Sequence, residues 1–280
     1  MSARKEINHA KGLPYPLEST ILCPPMDSED RPRIRKCGHG SHEFSHIATM
    51  RDPFHMLQHI NTLFIIDDSH SMKSCWDEVG IALRKIAPVC IEADADGIDI
   101  EFLNHQARWS HVTGRIGYYN IGLTTSNIEM HDNVEGIHHN VKPRGPCELG
   151  LFLMWRLGRY IDHLEQNTTQ YGSKDSVAPL NVIVISNWGW EERFGPIESL
   201  LKCARKLDAL GCPPHQLGIQ FFRVGQASAG VKKNDDYAIF LDDRVWKQNH
   251  VRVNMVDVTT WTGRIVVLGA MRRSLDFQQM

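Results

Sequence analysis

The run Thr62–Ile66 sets the tightest limit on what this chain can fold into. Four apolar residues follow Thr62 in succession, two of them β-branched, and the run stops at Asp67-Asp68-Ser69. A short unbroken apolar segment ending in a polar turn has the form of a strand buried on both faces, as in a parallel sheet. Asn181–Ile185 repeats the pattern and stops at Ser186-Asn187. Gly97–Leu103 alternates as a further strand, Gln216–Val224 and Met255–Val258 read as two more, and Arg115–Gly122 is a weaker candidate.

Helical spacing separates these runs. Trp76, Val79, Leu83, Ile86 and Cys90 recur on one face behind Ser74-Cys-Trp-Asp77, which has the form of a capping box. Leu149, Leu153, Leu157, Ile161 and Leu164 mark a second helix. Pro196 stands at a first-turn position before Ile197, Leu200, Leu201, Ala204 and Leu207. Ser126-Asn-Ile-Glu129 is expected to cap a short helix, and Ile265–Leu275 to form a closing one. Strands alternating with helices predict an α/β fold: a doubly wound, mainly parallel central sheet with helices on both faces. The segments Leu63–Ile66, Ile98–Phe102, Val182–Ile185 and Leu217–Phe222 are the expected central neighbours. Asp67–Ser71 and Asn187–Trp190 both follow strands, so they are expected at the carboxyl edge where such sheets bind ligands.

Residues 1–50 show no period and carry Pro14, Pro16, Pro24, Pro25 and Pro32. They read as a poorly structured leader to a domain spanning 51–280. Cys37, His39, His42 and His46 lie close together within it, but no second cluster completes a zinc pattern, so a surface loop is expected. Lys and Arg total 31 against 33 Asp and Glu, a net charge of -2, which gives no footprint for nucleic acid or an acidic membrane. The apolar runs are too short to cross a bilayer, and the polar start lacks the apolar centre of a secretory signal. Seven scattered cysteines suit reduced thiols better than a disulfide framework. A soluble cytoplasmic protein is the expectation.

Asp67-x-Ser69-x-Ser71 after an apolar strand resembles the first motif of the metal-ion-dependent adhesion site of von Willebrand factor A (vWA) domains. The stretch Asn61–Met72 resembles a group of fungal vWA proteins most closely, and the likeness runs from about Asp52 to Asp276. Supporting stretches are Asp94–Ile100 with Phe102-Leu-Asn104, Gln216–Phe222 with Val224-Gly225, and Val267–Ala270 with Arg272 and Arg273. The resemblance implies a vWA, Rossmann-like fold and a magnesium site built from Asp67, Ser69 and Ser71. A threonine and a second aspartate from later loops would complete it, leaving one position for a partner's carboxylate.

Both later positions depart from that pattern. Cys147, in Gly145–Gly150, stands where the resemblance implies threonine, and Asn187 where it implies aspartate; His70 replaces a glycine. Sulfur is a soft ligand for a hard ion, and Asn keeps an oxygen while removing a charge. Glu148 could restore a carboxylate if its loop bends inward. A decayed site, a weak magnesium site, and a softer site for zinc or copper therefore stand side by side. So does a Cys147, His70 and Asn187 set of the type that makes a nucleophile, base and orienter, acting on a small metabolite. Trp188 and Trp190 form either an exposed rim that anchors a protein partner, together with Glu148, or a packed pair. The leading expectation is a non-enzymatic scaffold or adaptor module whose divalent-metal site is weakened or lost. It would take a protein partner, and a small ligand would be the alternative.

Overall fold

The computed structural model describes residues 55–94, 96–107, 117–122, 133–171, 177–189, 195–225, 237–252, 254–260 and 262. The leader 1–50, the cysteine–histidine cluster within it, the helix at 126–129, Trp190, the closing helix and Arg272-Arg273 lie outside the described residues. Six strands form one sheet: β1 (Asn61–Ile66), β2 (Ile98–Phe102), β3 (Tyr118–Ile121), β4 (Leu180–Ser186), β5 (Leu217–Arg223) and β6 (Val256–Thr260). Their spatial order is β3-β2-β1-β4-β5-β6. Every pairing is parallel except β2 with β3, an antiparallel edge with a register shift between Ile98 and Ile100. The four expected central segments are the four inner strands, β2, β1, β4 and β5.

Alternation along each strand divides the apolar material between two cores. Phe64, Ile66, Ile183, Ile185 and Phe222 face one layer, which holds α1 (Trp76–Ala93) and α2 (Val134–Asn140). Leu63, Ile65, Val182, Val184 and Phe221 face the other, which holds α3 (Leu149–Tyr171) and α4 (Ile197–Ala209). Because both faces are covered, β4 and β5 are buried along their whole length, and this is why they read as continuous apolar runs.

Local details depart from the sequence pattern at two places. The capping box at Ser74 is not used: a 3-10 turn, His70–Cys75, leads straight into α1, whose N-cap is Cys75 with no side-chain cap bond. The tight turn already bonds Met72 N–H to the Ser69 carbonyl, so the chain enters the helix without needing a hydroxyl cap. A π-turn, Phe240–Arg244, continues into α5 (Val245–Gln248) with no period that would have announced it. It serves the edge strand: Asp242 accepts from Val258 N–H at 3.0 Å and the Asn254 side chain accepts from Val256 N–H at 3.0 Å. Those two outward N–H groups of β6 are thereby closed to another chain.

One charged pair pins α3 to β2. The Arg156 guanidinium donates to both Glu101 oxygens at 3.1 and 3.2 Å, and the Tyr119 hydroxyl donates to Glu101 at 3.1 Å. The Glu101 side chain is 3% exposed and that of Arg156 is 17% exposed. Removing one member of such a pair leaves a buried charge without its partner, whereas replacing both by apolar groups does not. Glu101→Gln is therefore expected to destabilise the fold by about 3 kcal/mol in urea denaturation, and Glu101→Leu with Arg156→Met to recover most of that loss.

Candidate functional site

The crevice lies beyond the carboxyl ends of β1 and β4. Successive connections leave these adjacent strands toward opposite sides of the sheet, the place where doubly wound folds open a ligand site. Asp67 and Asp68 follow β1 directly and both are fully buried. Their partners differ. Asp67 Oδ1 accepts from its own turn, at Ser69 N–H (2.9 Å); Oδ2 accepts from the Ser186 hydroxyl (2.7 Å) and from the Cys147 thiol (3.1 Å). Asp68 instead holds the β2 exit, accepting from Asn104 N–H at 2.7 Å, its side-chain amide at 3.3 Å, and His105 N–H at 2.8 Å. Burial raises the Asp68 carboxyl above the ordinary carboxylate range, against the lowering effect of those donors.

Above Asp67 runs a line of oxygens. Ser69 Oγ and Ser71 Oγ are 2.9 Å apart, and the Ser71 hydroxyl donates to Asn187 Oδ1 at 3.1 Å. Asn187 returns the bond through its amide, which donates to the Ser71 carbonyl at 2.8 Å, and its Oδ1 also accepts from Gly189 N–H at 2.9 Å. Gly189 leaves room for these bonds: a Cβ there would stand 2.6 Å from Ser71 Oγ and 2.8 Å from Asn187 Oδ1, so one of those side chains would have to shift. The third loop closes over the turn by backbone bonds, His70 N–H to the Gly145 carbonyl at 2.9 Å and Arg144 N–H to the Asp68 carbonyl at 2.6 Å.

Asp67, Ser69, Ser71, Cys147 and Asn187 thus come together in one hydrogen-bonded crevice. The other candidates do not join it through their side chains. His70 is an exposed residue, tied to the crevice by its backbone. Glu148 is exposed at the start of α3, where its carbonyl accepts from Phe152 N–H, so its loop does not bend a carboxylate inward.

Of the two alternatives for Trp188, exposed rim or packed ring, the structure takes the packed one. Its ring is 3% exposed and packs edgewise on Phe221 at 6.2 Å and on Tyr237 at 5.8 Å. The cause is backbone conformation: Trp188 has φ 64, and its N–H donates to the Ser186 hydroxyl at 3.0 Å, which turns the side chain back over the sheet. A bulky residue in the left-handed region costs about 1–3 kcal/mol and needs packing of this kind to hold it.

Sequence reasoning missed Ser186, which bridges Asp67 and Trp188, and Asp68 as the organiser of the Asn104-His105 turn. The signal available was position: each is the polar residue at, or next to, the end of an apolar strand. A His105 ring nitrogen also lies 3.0 Å from the Tyr118 hydroxyl, at the same edge. No family model matches this chain, and no curated protein matches it.

The thiol is the most chemically distinctive group present. Burial first, and the Asp67 carboxylate second, push Cys147 well above the ordinary thiol range, because a thiolate beside a carboxylate is penalised twice. Alkylation of Cys147 in the native protein is expected to stay slow as pH rises through 9.0, where an ordinary thiol ionises. Asp67→Asn removes the second cause and is expected to speed labelling several-fold at fixed pH. Peptide-resolved iodoacetamide kinetics measure both. Fast labelling of native Cys147 near pH 7 would overturn this account.

Proposed function

We propose that this chain is a vWA-type interaction module, and that its crevice works as a hydrogen-bonded recognition surface rather than as a catalytic centre. The observation that carries the reading is the line Ser69–Ser71–Asn187 over buried Asp67, in which the polar groups engage one another. The resemblance of Asp67-x-Ser69-x-Ser71 to a vWA motif supports the family, and the mainly parallel sheet covered on both faces agrees with it.

A nucleophile needs a base within hydrogen-bond reach. Cys147 donates to a carboxylate instead, its proton is held more tightly than usual, and the Asn187 amide is spent on Ser71. These bonds favour recognition over thiol chemistry. The surface offered to a partner is made by exposed Ser71, His70, Gly145, Pro146 and Gly189. Trp188 contributes by fixing the Asn187 loop from below, not by direct contact.

The residues fit magnesium in spacing but not in charge. Oxygens bound side by side on octahedral magnesium stand about 2.9 Å apart. The separations Ser69–Ser71 and Ser71–Asn187, 2.9 and 3.1 Å, are close to that. Yet the three oxygens are neutral, and the Asp67 carboxylate below them already accepts three hydrogen bonds. Magnesium is therefore at most an accessory here, and the recognition role does not depend on it.

Two measurements test the reading. Millimolar magnesium is expected to raise the melting temperature by less than about 2 °C, whereas Cys147→Thr with Asn187→Asp should enlarge that shift clearly. A large shift in the unmodified chain, abolished by Ser69→Ala, would instead assign a working metal site. Separately, a photo-crosslinking residue placed at His70 or Pro146 is expected to trap protein adducts in cells, while one at Lys206 on α4 should not. Adducts only at Lys206 would move the recognition surface elsewhere.

A further inference from the structure

The structure assigns Asn104 as the positioning residue of the loop Arg144–Cys147: its side-chain amide holds the loop over the turn Asp67–Ser71 and so keeps Cys147 at Asp67. The assignment rests on the geometry of the loop and not on what the crevice recognises.

Three consecutive residues of this loop are tied down, each by a backbone group. Arg144 N–H donates to the Asp68 carbonyl, the Gly145 carbonyl accepts from His70 N–H, and the Pro146 carbonyl accepts from Asn104 Nδ2 at 3.1 Å. The first two partners are backbone atoms of the turn after β1, which almost any residue there would supply. The third is a side chain 42 residues away, at the exit of β2. It is also the tie next to Cys147, whose thiol reaches Asp67 Oδ2 at 3.1 Å. The placing of the thiol therefore depends on the one tie that a change of residue can remove.

Asn104 meets the demand from below and from above. Its backbone is fixed, because Asn104 N–H and His105 N–H bond the two oxygens of buried Asp68 at 2.7 and 2.8 Å. Its amide carries two hydrogens, which go to Asp68 Oδ1 at 3.3 Å and to the Pro146 carbonyl. Both neighbours are oxygens, so the reverse orientation of the carboxamide would set oxygen against oxygen. Aspartate and leucine keep much of the shape but have no donor to offer.

The loop is shaped to receive that side chain. Gly145 has φ +76, a left-handed conformation that glycine takes without strain. A Cβ there would collide with Asn104 Oδ1 and stand 2.7 Å from its Cγ. Asn104 thus touches two successive loop residues, by packing at Gly145 and by a hydrogen bond at Pro146. Asp68 in this way governs two loops, the β2 exit directly and the Cys147 loop through the carboxamide that joins them.

A side chain that only filled space under Gly145 could be replaced by leucine, and one that only finished β2 would affect only its own turn. Peptide-resolved iodoacetamide kinetics on the full chain, at fixed pH, separate these roles. Losing the tie should open the loop about five- to tenfold more often, the usual worth of one hydrogen bond. Cys147 in Asn104→Leu is therefore expected to label faster by that factor, and in Asn104→Asp, where a carboxylate meets two oxygens, faster still. Buried Cys90 in α1 should keep its rate in both variants, which distinguishes loop opening from unfolding. Amide hydrogen exchange is the second readout. His70 and Arg144 N–H, which bond within the loop contact, should exchange faster in the same variants, while Asp67 N–H, bonded to the Ile185 carbonyl, should not. Gly145→Ala should also speed Cys147 labelling, by a smaller factor once Asn104→Ala has made room. The assignment is overturned if Asn104→Leu leaves Cys147 at its original rate, if Cys90 accelerates equally in both variants, or if Gly145→Ala acts equally in the two backgrounds.

Discussion

Asp67 carries a carboxylate into a place with no exposed surface, and the crevice is organised around satisfying it. A buried carboxylate without donors would cost several kcal/mol or take up a proton. Here three donors arrive from three separate segments: Ser69 N–H from the turn itself, the Ser186 hydroxyl from the end of β4, and the Cys147 thiol from the loop before α3. Segments up to 119 residues apart in sequence are thereby held at one carboxylate. Ser186 passes the constraint on, because its oxygen also accepts from Trp188 N–H, and Trp188 in turn places Asn187 and Gly189 against Ser71. A change at Asp67 would be felt at each of these loops together.

The sheet makes this convergence possible. β1 and β4 pair in parallel register from Asn61 with Leu180 to Ile66 with Ile185, so the residues that follow each strand emerge side by side. Ser186 continues the ladder with Arg223 of β5, and its carbonyl accepts from Val224 N–H, which keeps the β4 exit rigid where the hydroxyl must point at Asp67. The Glu78 carboxylate, from the first turn of α1, accepts Gly225 N–H at 2.9 Å and ties the β5 exit to the helix that follows the serine turn. Rigid strands set the positions, and short turns supply the chemistry.

The strands were legible because burial on both faces leaves a one-dimensional mark: Leu63–Ile66 and Val182–Ile185 must be apolar throughout whatever their neighbours are. The crevice was legible only as far as position allowed. That Asp67, Ser69, Ser71, Cys147 and Asn187 meet follows from three loops sharing one sheet edge. What each group bonds to depends on tertiary geometry and leaves no local trace. Trp188 illustrates the limit. An aromatic just past the end of a strand can either rim the crevice or pack, and only the positive φ decides that the ring is buried against Phe221 and Tyr237. The π-turn at Phe240–Arg244 escaped notice for the same reason: the edge strand it serves is fifteen or so residues further on.

The two departures from the resembling motif have compatible physical consequences. A carboxylate at position 187 would face the Ser71 carbonyl, which at present accepts a hydrogen bond from the Asn187 amide. Without a cation between them that contact would be repulsive, so the amide suits a crevice that closes on itself. A hydroxyl at position 147 would serve a hard cation better than a thiol does. The thiol, raised in pKa by burial and by Asp67, holds its proton and remains a donor to the carboxylate over the whole physiological range. At both positions the residue present makes a bond inside the protein. On the proposed reading, both bonds favour a crevice that holds its own shape, and the proposed partner would read fixed loops rather than complete a coordination sphere.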